Sequence, residues 1–166
     1  IDKVKGDFIS HIKWLRKFNK EDEHLCPGVS GRLFKNVKNL ESPEWLKKKL
    51  TSIGLRPISA LVDITNFVTF DLGRPLHVYD ADKLNGNMVM RKAQNNEKCK
   101  TLDEKEYSLF DDMVVISDDK NLHGIGGLMG GLDSSCSLKT QNVFLEVALF
   151  DSISITKTGR KLNLQS

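Results

Sequence analysis

The stretch Gln141–Phe150 constrains the fold most, because its side chains alternate with the period of a β-strand. Val143, Leu145, Val147 and Leu149 fall on one face; Phe144, Glu146 and Ala148 fall on the other. Shorter strands are predicted over Gly31–Val37, Met88–Lys92 and Met113–Ser117, with a hairpin over residues 101–107 that turns at Asp103-Glu104. Ser42-Pro43-Glu44-Trp45 predicts a helix start, with Ser42 as cap and Pro43 in the first turn. Leu46, Leu50 and Ile53 would then form one apolar stripe, and Gly54 would supply the left-handed stop. The segment Ser59–Leu72 is rich in β-branched residues, which favours a strand. Its length, the helical spacing of Leu61, Ile64, Val68 and Leu72, and Gly73 at its end favour a helix, which is the expectation adopted. Asp151 is placed to cap a last helix running through Lys161. Strands outnumber helices and do not alternate with them regularly, so the expected class is α+β.

The 166 residues suffice for one domain, and 39% hydrophobic with 28% charged residues is an ordinary globular balance. No apolar run approaches the ~18–20 residues of a membrane span. A net charge of +3 is too small to argue for nucleic acid, although Lys157, Arg160 and Lys161 form a basic stretch without an acid. Cys26, Cys99 and Cys136 form no CxxC pair, and His11, His24, His77 and His123 lack ligand spacing, so no metal site is expected. Unpaired cysteines suit a reducing cytosol. Residues 1–25 are charged and weakly patterned and read as a linker from an upstream domain, with a short strand or turn possible near Ile9–Trp14. Residues 26–166 read as the domain. The chain begins with Ile1 and reads as a piece of something longer.

Glu146 is the most informative single residue. A carboxylate inside an apolar strand is costly to bury without donors. It is either at a solvent-facing edge or aimed into an apolar pocket to accept a hydrogen bond. The run from Gly124 to Gly131 holds five glycines in eight positions. It lacks the GxGxxG order of a dinucleotide site and the Lys-Ser/Thr of a phosphate loop. It is either a tight bend between strands or a place where backbone N–H groups approach a ligand. His77 follows Pro75-Leu76 on a turn or strand start, Thr65 and Asn66 lie on the second helix, and Arg56 lies just before it. No Ser-His-Asp or Cys-His set is apparent.

The order of several segments resembles the β subunit of bacterial-type phenylalanyl-tRNA synthetases. These are Ser42-Pro43-Glu44-Trp45-Leu46, Gly54-Leu55-Arg56-Pro57-Ile58, Val62 to Val68, Gly73 to Asp80, Val89 to Ala93, Thr101-Leu102-Asp103, Gly127 to Gly131 and Leu145 to Asp151. The resemblance runs from about Cys26 to Ser166. It implies a post-transfer editing domain, a three-layer β/β/α sandwich that hydrolyses mischarged Tyr-tRNA(Phe). By residue-wise matching it implies a catalytic set of His77, Thr65 and Asn66 and a substrate-binding set of Glu146, Gly127, Gly126 and Arg56, with Glu146 reading the tyrosine hydroxyl. It implies no metal and no cofactor for this domain, and ATP and Mg at the parent's synthetic site. Its implied partners are the acceptor end of tRNA(Phe) and an α subunit in a parent with two α and two β subunits, in the cytoplasm and not on a membrane. The alternative is a non-catalytic tRNA-binding or scaffolding domain of the same subunit; a free-standing relative acting on other aminoacyl-tRNAs is a third reading. Arg74, Gly126 and Glu104 depart from residues many members carry, where Gln, Ala and Gly are usual. Leu164-Gln165-Ser166 enters the family's last pocket segment, so the expected site lacks one wall.

Overall fold

The alternating strand is the centre of a small sheet. The structure is a computed structural model and describes residues 5–164. In it β10 (Val143–Leu149) runs antiparallel between β2 (Gly28–Phe34) and β3 (His77–Asp80). A second sheet has the order β1 (Trp14–Lys17), β4 (Met88–Lys92), β7 (Val114–Ser117), β8 (Leu122–Ile125), β9 (Met129–Gly130). The strands β5 (Lys98–Lys100) and β6 (Glu106–Ser108) form the hairpin that the sequence places around Asp103-Glu104.

The two larger sheets face each other across the main core. Leu33, Tyr79 and Phe144 from the three-stranded sheet meet Met88, Met90 and Ile116 from the five-stranded one, all of them buried. Burying side chains of this size stabilises by ~1.5–3 kcal/mol each. A second cluster of Ala93, Cys99, Leu109, Met113, Val115 and Ile125 is backed by Tyr107, Leu162 and Leu164.

The helices complete a third layer. α1 (Glu44–Ser52) packs on α2 (Ala60–Leu72), and α2 touches β3. The ambiguous segment is therefore helical, and Gly73 at φ 61° ends it as expected. Gly54 plays the same part after α1 at φ 84°. Two local expectations fail. Ser42 does not cap α1; its hydroxyl donates to Asp63 Oδ2 at 2.5 Å, while the Ile58 N–H donates to Oδ1 at 2.8 Å. Asp63 is 1% exposed, and a buried carboxylate needs donors more than an exposed helix end does. Ile53 leaves the apolar stripe and is 52% exposed, because α1 stops at Ser52. The last helix, α3 (Ser152–Leu162), is capped as the sequence suggests, with the Ser154 N–H donating to Asp151 Oδ1 at 2.7 Å.

The stretch read as a linker through residue 25 is partly built into this fold. β1 pairs in parallel with β4, and Ile12 lies in the core. The charged composition hid it because β1 is an edge strand whose Leu15, Arg16 and Lys17 all remain exposed. Gln165 and Ser166, where the sequence enters the expected last pocket segment, lie outside the described residues.

Glu104 sits at the hairpin turn with φ 64°, in the left-handed region where a side chain is disfavoured. Glu104→Gly should relieve that cost and stabilise the chain by about 0.5–1 kcal/mol, net of the extra freedom gained by the unfolded chain. A thermal midpoint that fails to rise would show that the turn holds Glu104 without cost.

Candidate active site

The site begins with strand register. In the antiparallel β10–β3 pair Glu146 stands opposite His77 and Phe144 opposite Tyr79, so the four side chains share the face turned towards the larger sheet. On its other flank Glu146 stands opposite Gly31 of β2. A Cβ on Gly31 would lie 2.4 Å from Trp14 Nε1, so the glycine leaves room for that indole to close the flank. Phe144 and Tyr79 go into the core. Glu146 and His77 reach the wall of a cavity of about 490 Å³.

This cavity is mostly apolar. Tyr79, Ile116, Ala148, Phe150 and Ile155 contribute to its walls, and Gly127, Leu128, Met129 and Gly130 form one side. The glycine-rich run does both things the sequence left open. It is the bend from β8 into β9, and part of it lines the cavity. Gly127 has φ 70°, and a Cβ there would come within 2.6 Å of Ile155 Cδ1. Gly130 lets the His77 ring lie against the backbone, where a Cβ would be 2.5 Å from His77 Cε1.

Glu146 is 5% exposed, and the Tyr79 hydroxyl donates to its Oε2 in a very short contact. Oε1 accepts nothing from the described residues. Burial pushes the Glu146 carboxyl up to about 7, against the opposing pull of the Tyr79 hydrogen bond. Burial also holds His77 down to about 4, so its imidazole is neutral at pH 7. The Tyr79 ring packs edge-on against His77 with centroids 4.5 Å apart. The cavity therefore offers an apolar volume, one buried carboxylate with a spare oxygen, and a neutral imidazole beside it.

Not every candidate residue enters this cavity. His77, Gly127 and Glu146 line it together, although far apart in sequence. Thr65, Asn66, Arg56 and Gly126 are outside its lining. Thr65 is buried on α2 and its Oγ1 donates to the Val62 carbonyl at 2.8 Å; Asn66 is half-buried on the same helix. Arg56 is exposed in the turn between α1 and α2. Gly126 is buried one residue too early, beneath Phe150, whose Cε1 would lie 2.8 Å from a Cβ there. The departure from alanine at this position thus goes with an aromatic ring in the space a methyl would take. Sequence reasoning missed Tyr79, Gly130 and Ile155 as site residues. For Tyr79 a signal existed, since it lies two residues after His77 on one strand and must share its face.

A family model for the B3/4 domain matches residues 25–166. The chain belongs to the B3/4 domain family. Among relatives, the phenylalanine–tRNA ligase β subunit of Rhodopseudomonas palustris is 48% identical over the whole chain, which covers 20% of that protein. The corresponding subunit of Mesorhizobium japonicum is 54% identical over 87% of this chain and 18% of its own length. The B3/4 chain thus spans about one fifth of the length of these relatives. A crystal structure of an N-terminal fragment of the phenylalanyl-tRNA synthetase β subunit from Pyrococcus horikoshii has the same fold. Its TM-score is 0.62 at 13% identity, covering 95% of this chain and 52% of that one. The β/β/α layering of this B3/4 domain agrees with the α+β class expected from the sequence. No helix among the described residues is long and apolar enough to cross a membrane, and none of their His, Cys, Asp and Glu side chains form a group of three that could hold a metal ion.

The buried carboxyl should be visible in stability. A carboxyl whose pKa is raised on folding, from 4.5 to about 7, contributes stability that is full below about 4.5 and lost as pH rises through 7. The loss amounts to ~3 kcal/mol. Glu146→Gln removes this titration while keeping an acceptor for Tyr79. Its denaturation free energy relative to the wild type should therefore improve by about that amount between pH 4.5 and 8. A pH-independent difference between the two proteins would contradict the burial of Glu146.

Proposed function

We propose that this domain is the post-transfer editing module of a phenylalanine–tRNA ligase β subunit, hydrolysing Tyr-tRNA(Phe). The observation that carries the reading is the Glu146 carboxylate in an apolar cavity, already accepting a phenol. A synthetic pocket for phenylalanine rejects an isostere with an added hydroxyl only about 10²-fold, so a second, polar reader is needed. Glu146 supplies it. A tyrosine side chain entering the cavity brings its own phenol to Oε1, a charge-assisted bond that phenylalanine cannot make. With phenylalanine that oxygen stays unpaired in an apolar setting, at a cost of about 1–3 kcal/mol.

The hydrolytic step is substrate-assisted in this reading. A water attacks the ester carbonyl, with the free ribose hydroxyl of the terminal adenosine hydrogen-bonding to it. The acyl–oxygen bond breaks, tyrosine leaves as the acid, and the ribose oxygen takes up the proton that the water gives up. His77, neutral at pH 7, orients the terminal nucleotide or that water as a hydrogen-bond partner rather than as a cation. Backbone N–H groups at the Gly127 bend stabilise the developing oxyanion. Lys157, Arg160 and Lys161 on α3 hold acceptor-end phosphates. Thr65, Asn66 and Arg56 act from outside the cavity lining, and Gly126 by shaping the bend. The longer protein would pair with an α subunit in the cytoplasm, and ATP and Mg would serve its synthetic site elsewhere. The test is deacylation of Tyr-tRNA(Phe) and Phe-tRNA(Phe) by the full-length enzyme with Glu146 intact and replaced. Loss of both activities in parallel would remove the reader role.

A further inference from the structure

Among the described residues Tyr79 is the one side chain that hydrogen-bonds to Glu146, and three observations set it apart from a core aromatic. It is 0% exposed yet contributes to the cavity wall, and its hydroxyl is satisfied by the Glu146 carboxylate. Its ring is wedged among Trp14, His77 and His123, with centroids 6.4, 4.5 and 6.3 Å away. It lies diagonally across the β10–β3 register from Glu146, on the same sheet face. The phenol therefore cannot swing away without moving packed rings.

We propose that Tyr79 is the positioning residue of the tyrosine reader: its phenol occupies Glu146 Oε2, fixes the carboxylate plane, and leaves Oε1 as the single acceptor offered to an incoming hydroxyl. The proposal rests on the reader role of Glu146. It makes the specificity of the site a property of a pair. An unheld carboxylate in this cavity can rotate, and burial favours its protonated form. Held by a buried donor it stays a directed acceptor. The other titratable or charged groups around Glu146 are His77 on β3, His123 on β8 behind the Tyr79 ring with Asp118 2.7 Å from its Nε2, Cys26 ahead of β2 with Arg16 against its carbonyl, and Arg74 at the rim. None of them hydrogen-bonds to the carboxylate among the described residues, so Tyr79 alone sets its orientation.

The test is Tyr79→Phe in the full-length enzyme, which removes one oxygen and keeps the ring. The readout is the ratio of Tyr-tRNA(Phe) to Phe-tRNA(Phe) hydrolysis across pH, which cancels the base sensitivity common to both esters. In the wild type the ratio should rise as pH passes about 7. In Tyr79→Phe the rise should move to higher pH, and the ratio at pH 7 should fall about tenfold. Should packing alone be damaged, both hydrolysis rates would fall together with the thermal midpoint and the pH of the rise would stay put; that outcome overturns the proposal. So does a wild-type ratio at every pH. Glu146→Gln run alongside separates the two levels. If it abolishes discrimination while Tyr79→Phe leaves it intact, the reader stands and the positioning role falls. If neither substitution changes the ratio, the reader role itself has failed.

Discussion

Glu146→Ala in the full-length enzyme should lower Tyr-tRNA(Phe) hydrolysis by about 10- to 150-fold, the kinetic equivalent of a charge-assisted hydrogen bond worth ~1.5–3 kcal/mol. The already slow hydrolysis of Phe-tRNA(Phe) should not fall in parallel, and phenylalanine activation should stay near normal. The structure adds a complication to this measurement. Truncation leaves the Tyr79 hydroxyl buried without its acceptor, so the variant loses stability as well as the reader. Glu146→Gln controls for this, because its amide oxygen can still accept from Tyr79. The two substitutions should lose tyrosine selectivity together while only Glu146→Ala shows a lowered thermal midpoint at neutral pH. Equal loss on both esters would assign Glu146 to folding or to general catalysis.

How much of this was legible in the sequence depends on whether the information was local. The faces of β10 follow from period-two alternation alone, and they place Glu146 beside Phe144 and Ala148 as the structure does. The helical reading of Ala60–Leu72 needed only spacing, length and Gly73. The failures are all tertiary. Ser42 is a good cap in isolation, but the buried Asp63 competes for its hydroxyl from a different helix. β1 carries mostly solvent-facing side chains because it lies at a sheet edge, so its sequence resembles a linker. The Tyr79–Glu146 contact needs the register of two strands 67 positions apart, which no local pattern encodes. Thr65, Asn66 and Arg56 entered the candidate site only by resemblance. Their helix and turn occupy a different layer of the fold from the face that bears Glu146 and His77.

The other large effect should come from a residue with no side chain. Gly130→Ala should lower hydrolysis of both aminoacyl esters by about 100-fold, because a displacement of order 1 Å at a positioned group costs that much. The cause is space rather than backbone strain, since Gly130 is not among the glycines with positive φ. An added Cβ would lie 2.5 Å from His77 Cε1 and 2.8 Å from Nε2, with Leu102 Cδ1 at 3.1 Å on another side. The β9 backbone is held from both directions, by the Gly130 carbonyl accepting the Leu102 N–H at 3.0 Å and by pairing with Gly124. It cannot retreat cheaply, and the Tyr79 ring blocks the far side of His77. The imidazole must therefore turn into the cavity, where it leaves its place beside Glu146 and takes volume from the ligand. In the proposed mechanism His77 orients the reacting end and not the tyrosine hydroxyl, so the loss should be the same for the tyrosyl and phenylalanyl esters. That pattern is opposite to the one expected of Glu146→Ala. A tyrosine-selective loss from Gly130→Ala would mean that His77 belongs to the reader, and unchanged rates for both esters would remove His77 from the mechanism.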